Sequence, residues 1–296
     1  MSFKYLLKES FIKTWNKISG GGYKKKFYET LAHPEPVEEV PSYFYKRFTV
    51  QKVIFDGQPY FTIKSKKRTS DCAILYMVGG GGLAGPTENH FKTLARLADT
   101  SGATICLAIY PPAPEHNVRF ALRWLQKVYA NLLKDFKSHK IILAGDGTGA
   151  NLALSLCSRL ANKPGRIVAI SPAAGLGLKD CREAMEKAEP GDLFLSMESL
   201  DLISENWVGN VPPESPDLQP SAIDFTGFPP VQIFYGTKEI FYPMMGTLTA
   251  KIESTDTALE IHYKNMCHSW VLMQDIPEGR AAVKQIAAFV DKMLVS

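Results

Sequence analysis

Residues 141–160 run from an apolar strand through a tight glycine turn into an apolar helix, and that junction limits the possible folds more than any other stretch. Ile141-Ile-Leu-Ala144 enters Gly145-Asp-Gly-Thr-Gly149 and leaves as a helix bearing Leu152, Ala153, Leu154, Leu156 and Leu160. A strand that turns straight into a helix is half of a βα unit. The same alternation recurs along the chain. Short apolar strands are predicted at 73–78, 104–109, 141–144, 167–171, 231–235 and 259–263, with helices at 91–100, 118–133, 152–160, 243–254 and 280–294. Two earlier runs, 48–55 and 60–64, read as a hairpin closed by Asp56-Gly57. A hairpin followed by repeated βα units predicts an α/β fold: a mostly parallel central sheet with helices on both faces.

The remaining segments bound the chain's organisation. About sixty residues separate the strands at 167–171 and 231–235, more than a βα connection needs, so 173–225 is read as an insertion. Residues 1–45 carry a helical stripe of Tyr5, Leu6, Phe11, Ile12, Trp15 and Ile18, then Gly20-Gly21-Gly22 and a proline-rich passage. A basic amphipathic helix of this kind can lie on a membrane, but aromatic stripes at helical spacing are usually core, and packing on the body is expected. Residues 1–45 and 173–225 together are expected to form a small helical cap over a main domain at 46–296.

Composition excludes several classes. With 45% hydrophobic and 22% charged residues, the 296-residue chain can bury a sizeable core. A net charge of +4 is small and its basic clusters (Lys24-Lys25-Lys26; Lys64, Lys66, Lys67, Arg68) are short, so no nucleic-acid partner is expected. The five cysteines are odd in number and lack C-x-x-C spacing, which argues against a disulfide framework or a zinc site. No metal and no cofactor are expected. The amino terminus lacks the apolar run of a signal peptide, and no stretch is long enough to span a bilayer. The expectation is a cytoplasmic protein, with strand 259–263 a candidate edge for a homodimer.

Four features fall at carboxyl ends of strands, where open parallel sheets gather ligands. Gly79-Gly80-Gly81-Gly82 follows the strand at 73–78, and consecutive glycines let backbone N–H groups line a small concavity. The turn at 145–149 has the layout G-x-S-x-G, which presents a serine oxygen above the sheet, but its apex is Gly147. It also satisfies G-x-G-x-x-A, a dinucleotide fingerprint; however, no acid stands about twenty residues on for the ribose, and the turn does not follow the first strand. A dinucleotide-binding oxidoreductase is therefore the weakest reading. Glu239 lies in Gly236-Thr-Lys-Glu239, where a carboxylate can orient an imidazole. His268 follows the strand at 259–263, completing the order elbow, acid, histidine.

Five blocks in order resemble the hormone-sensitive-lipase-like esterase/lipase branch of the α/β-hydrolase family: Gly79-Gly80-Gly81, Tyr110-Pro-Pro-Ala-Pro-Glu-His116, Gly145-Asp-Gly-Thr-Gly149, Gly236-Thr-Lys-Glu239 and His268-Ser-Trp270. The resemblance covers roughly 48–294 and implies a carboxylic ester hydrolase acting on small acyl esters. It implies that Glu239 is the acid, His268 the base, and the backbones of Gly80, Gly81 and Thr148 the oxyanion donors. Two positions depart from the family pattern: Val78 stands where it has histidine, and Gly147 where it has the nucleophilic serine. The expectation is an esterase scaffold inactive or nearly so as written, the alternative being a pseudoenzyme that binds a small ligand or a partner without turnover.

Overall fold

The computed structural model describes residues 1–37 and 39–293. Three helices come first: α1 (Phe3–Ile18), α2 (Gly22–Ala32) and α3 (Tyr43–Arg47). The hairpin β1 (Phe48–Phe55) and β2 (Gln58–Ser65) follows, with Asp56 and Gly57 both at positive φ (51° and 79°), the signature of a type I′ turn. The chain then alternates through β3 (Ala73–Met77), α4 (Glu88–Ser101), β4 (Thr104–Ala108), α5 (Val118–Leu132), β5 (Ile141–Asp146), α6 (Thr148–Arg159) and β6 (Arg166–Ile170). Helices α7 (Lys179–Ala188) and α8 (Met197–Ile203) lie within 173–225, and β7 (Val231–Gly236), α9 (Tyr242–Glu253), β8 (Leu259–Lys264) and α10 (Pro277–Asp291) complete the fold. Of the predicted last helix, Leu294 lies outside the described residues.

The eight strands form one sheet in the order β1-β2-β4-β3-β5-β6-β7-β8. β2 is antiparallel to both β1 and β4, and every other pairing is parallel, as the βα alternation predicts. β3, β4 and β5 are buried at every position, which is why they read as unbroken apolar runs rather than as alternating patterns. α4 packs with α10 and α5 with α6, flanking the sheet. α5 buries Val118, Ala121, Leu122, Leu125, Val128 and Leu132, the three-and-four spacing of one helix face. β8 closes one edge. The loops after β3, β5, β7 and β8 all emerge at the same end of the sheet.

The amino-terminal helix corrects an expectation. Of its predicted core stripe only Tyr5 and Ile12 are buried, while Leu6, Phe11, Trp15 and Ile18 are exposed. The face that docks is the more polar one. The Tyr5 hydroxyl accepts the Cys267 N–H (3.1 Å), Glu9 pairs with Lys238 (2.6 Å), and the Asn16 amide donates to the Leu193 carbonyl (3.0 Å). Spacing alone reports a stripe of large side chains, not which side of the helix meets the body. Among the described residues, no helix is long and apolar enough to cross a membrane.

Candidate active site

The turn between β5 and α6 places Gly147 near the middle of the sheet's carboxyl end, at φ +53° and ψ −122°. Its N–H donates to Ile170 O (2.9 Å), and its carbonyl accepts from Ala150 N–H (3.1 Å). The flanking glycines are required by close approach. A Cβ on Gly149 would collide with the Met77 carbonyl, and one on Gly145 with the Gly149 backbone. At Gly147 there is room instead: a Cβ would lie 3.5 Å from His268 Nε2 and 3.9 Å from Gly79 Cα, ordinary contact distances. Only its positive φ favours glycine there.

The glycine run after β3 lies beside this turn. Gly80, Gly81 and Gly82 all adopt positive φ (97°, 68° and 73°), a sequence of angles that other residues rarely hold. Among the described residues, no acceptor is found for the N–H groups of Gly80 and Gly81. Thr148 opens α6, so its N–H belongs to the first turn, which has no intrahelical partner and carries the positive end of the helix dipole. These three residues line one small cavity together with Gly147 and His268. Val78, before the glycines, is buried, and its carbonyl accepts the Tyr110 hydroxyl (2.8 Å).

Glu239 and His268 meet from adjacent strands. Parallel pairing of β7 with β8 sets Tyr235 opposite Tyr263, so the loops that follow run side by side. His268 Nδ1 lies 3.5 Å from Glu239 Oε2, within ion-pair reach and longer than an ideal hydrogen bond. Glu239 is fully buried, and burial raises its pKa; His268 and the Ser171 hydroxyl offset only part of that cost. Burial alone would lower the pKa of His268. Glu239 outweighs it, with Asp192 and Asp146 adding, and the imidazole titrates above the ordinary histidine value. The ring stands edge-on to Phe241 at 5.7 Å.

Several residues that hold this arrangement were not singled out from the sequence. Asp146, buried between β5 and the turn, accepts from the Tyr76 hydroxyl (2.9 Å) and the Gly79 N–H (3.1 Å). His90 Nδ1 accepts the Thr87 N–H (3.0 Å), so the ring proton is on Nε2, which donates to Asp146 at 3.1 Å. Burial opposes the Asp146 charge, but these partners win, His90 foremost, and hold its pKa below the usual carboxylate range. Asp146 thus ties the glycine run of β3 to the turn of β5. Asp192 does similar work on the other side, accepting from Ile240 N–H (2.9 Å) and from Phe194 and Leu195 N–H (3.0 Å each). The only sequence signal for Asp146 was its place between two glycines, where aspartate ordinarily reads as turn chemistry.

The cavity above Gly147 is small, about 30 Å³, room for roughly two waters. Its roof is apolar: Phe27 from α2, Leu195, Leu200 and Ile203 from the 173–225 segment, and Phe241. Ile203 presses on the glycine run, where a Cβ on Gly81 would strike it. A roomier hollow of about 500 Å³ lies on the far side of that run, lined by Val78, Gly82, Leu83 and Tyr110 among others, and neither Gly147 nor His268 reaches it.

Residues 74–272 match the family profile of the α/β hydrolase fold. An esterase of Acinetobacter venetianus is 30% identical over 230 residues, covering 74% of this chain and 75% of that protein. An acetyl-hydrolase of Streptomyces hygroscopicus is 27% identical over 224 residues (73% and 74%). Among solved structures, the hormone-sensitive-lipase homologue EstE7 from a metagenome library superposes with a TM-score of 0.79 at 21% identity, covering 96% of this chain and 97% of its own. The chain belongs to the α/β-hydrolase fold family.

Proposed function

We propose that this chain is a carboxylic ester hydrolase scaffold for small acyl esters in which Gly147 fills the nucleophile's position. In this reading Glu239 orients His268, His268 is the general base, and the backbone N–H groups of Gly80, Gly81 and Thr148 receive the oxyanion. The segments 1–45 and 173–225 form the cap, and five unpaired thiols fit a reducing, cytoplasmic setting. One observation carries the reading: at Gly147, and not at Gly145 or Gly149, a side chain has room to start, and it would start 3.5 Å from His268 Nε2. Without an attacking oxygen, a triad site keeps only the acceleration from oxyanion donors and binding, roughly 10³–10⁴ over water. The protein as written is therefore a very slow esterase at most.

Phenylmethylsulfonyl fluoride tests this directly. The Gly147→Ser protein is expected to gain one sulfonyl adduct by mass spectrometry, mapped to position 147, while the unaltered protein gains none. Absence of the adduct in a folded Gly147→Ser protein removes the assignment. It leaves the pocket to the pseudoenzyme reading, which requires saturable binding of a small ligand.

The pH dependence has a definite sign. The base acts only when neutral, and Glu239 raises its pKa, so kcat/KM of Gly147→Ser should fall on acidification with a midpoint above the ordinary histidine value. Adding Glu239→Gln removes the opposing charge and leaves burial in control, and the midpoint should move to lower pH. An unchanged midpoint would separate Glu239 from the base.

A further inference from the structure

α1 presents an apolar face that nothing in the described chain covers. Phe3 (75% exposed), Leu7, Phe11 (59%), Trp15 and Ile18 (70%) recur every three or four residues on the side opposite Tyr5, Glu9, Ile12 and Asn16. Six of the twelve exposed large hydrophobic side chains among the described residues lie on this one helix, and Met1 precedes it. The helix is not loosely attached, since the Tyr5, Glu9 and Asn16 contacts fix which side faces out. A contiguous apolar stripe on a firmly docked helix marks an interaction surface.

Charge says what the stripe meets. At about 100° per residue, Lys4 and Lys8 border one side of the stripe and Lys13 and Lys17 the other. Lys8 and Lys13 are shared with Asp275 and Glu9 (2.8 Å each), so Lys4 and Lys17 carry most of the outward charge. The helix shows no acid to solvent, because Glu9 is its only acidic residue and is buried. Lysines on both borders disfavour pairing with a second copy of the same face, since like charges would meet. They suit a surface that is apolar beneath and anionic at its rim. Trp15 and the two phenylalanines are the side chains that settle at the boundary of headgroups and acyl chains.

We propose that α1 is a peripheral anchor that lies flat on an anionic phospholipid surface, its Phe3–Leu7–Phe11–Ile18 stripe in the acyl boundary and its lysines on the headgroups. The proposal rests on α1 alone and does not depend on the role of Gly147. The docked side of the helix touches the chain neighbours of the site: Tyr5 holds Cys267, next to His268, and Glu9 holds Lys238, next to Glu239.

Trp15 supplies the readout. The other three tryptophans, Trp124, Trp207 and Trp270, are buried, so a change in emission on adding vesicles reports residue 15. The whole protein should show a blue shift and co-float with phosphatidylcholine–phosphatidylserine vesicles. It should bind pure phosphatidylcholine at least ~10-fold more weakly, and bind less as salt rises. Phe3→Ser/Phe11→Ser/Ile18→Ser, all at exposed positions, should abolish flotation with unchanged circular dichroism and melting. Lys4→Glu/Lys17→Glu should remove the preference for anionic vesicles. Absence of flotation and blue shift on anionic vesicles overturns the proposal. So does equal binding to both vesicle types, or a sedimentation-detected dimer abolished by the triple serine variant in a protein that ignores vesicles.

Discussion

Gly147→Ser is expected to raise kcat/KM for p-nitrophenyl acetate by roughly 10³-fold or more, at a stability cost of about 1 kcal/mol. A large gain is expected because His268 and the glycine run lie beside this position. A Cβ at 147 would meet nothing nearer than His268 Nε2 at 3.5 Å and Gly79 Cα at 3.9 Å, so no neighbour has to move. The cost arises because φ at this position is +53°, which glycine holds freely and serine does not. The gain should depend on the pair behind it: His268→Ala should cancel most of it in the serine background and change little in the glycine background, since residues that act as a unit are strongly non-additive. The roof of Phe27, Leu200 and Ile203 closes tightly over Gly147, so every ester must displace it, and rates should fall steeply from acetyl to butyryl to octanoyl esters as more of the roof has to move. Rates that stay flat across that series would show that the roof opens freely. A folded serine variant as inert as the glycine protein would end the esterase assignment.

Asp146→Ala is expected to be the costliest single change near the site, about 3–5 kcal/mol in urea unfolding. Its carboxylate is buried and serves Tyr76, Gly79 and His90 at once. Removal leaves a hydroxyl, a backbone N–H and a ring N–H unpaired in the buried interior. Asp146→Asn keeps the volume and one acceptor oxygen, so it should cost clearly less. The pH dependence follows from the lowered carboxylate pKa. Asp146 contributes its stability above the unfolded-state carboxylate value, and that contribution is lost as pH falls through the folded-state value. Asp146→Ala should therefore flatten the acid limb of the stability profile. Equal melting of Asp146→Ala and the parent protein would mean that the network does not tie the two loops together.

The sequence was a good guide wherever a local rule was also the global one. Asp56-Gly57 closes a hairpin because both residues accept positive φ, and the apolar runs at 73–77, 104–108 and 141–144 are strands because parallel strands are covered on both faces. Gly145 and Gly149 were read as turn residues, and the structure adds that a neighbouring backbone leaves no room for a side chain at either. The candidate site residues fall near strand ends for the same reason, since chain order along a parallel sheet fixes which loops emerge together.

Local rules failed where a residue's partner is distant in sequence. Asp146 looks like a turn aspartate until folding sets Tyr76 and His90 against it, seventy and fifty-six positions away. Asp192 carries no motif at all, yet it holds Ile240 beside Glu239. The stripe on α1 shows the limit most clearly. Periodicity identified an amphipathic helix, but which face docks depended on Cys267, Lys238 and Leu193, all far along the chain, and the polar side won. By itself the sequence determined the α/β architecture, the elbow and the order of glycine, acid and histidine, because these follow from backbone rules and chain order. Only the tertiary structure decided that Glu239 and His268 converge above Gly147 beneath a tight apolar roof, and that α1 turns its aromatic side outward, because both depend on contacts between segments that no local pattern encodes.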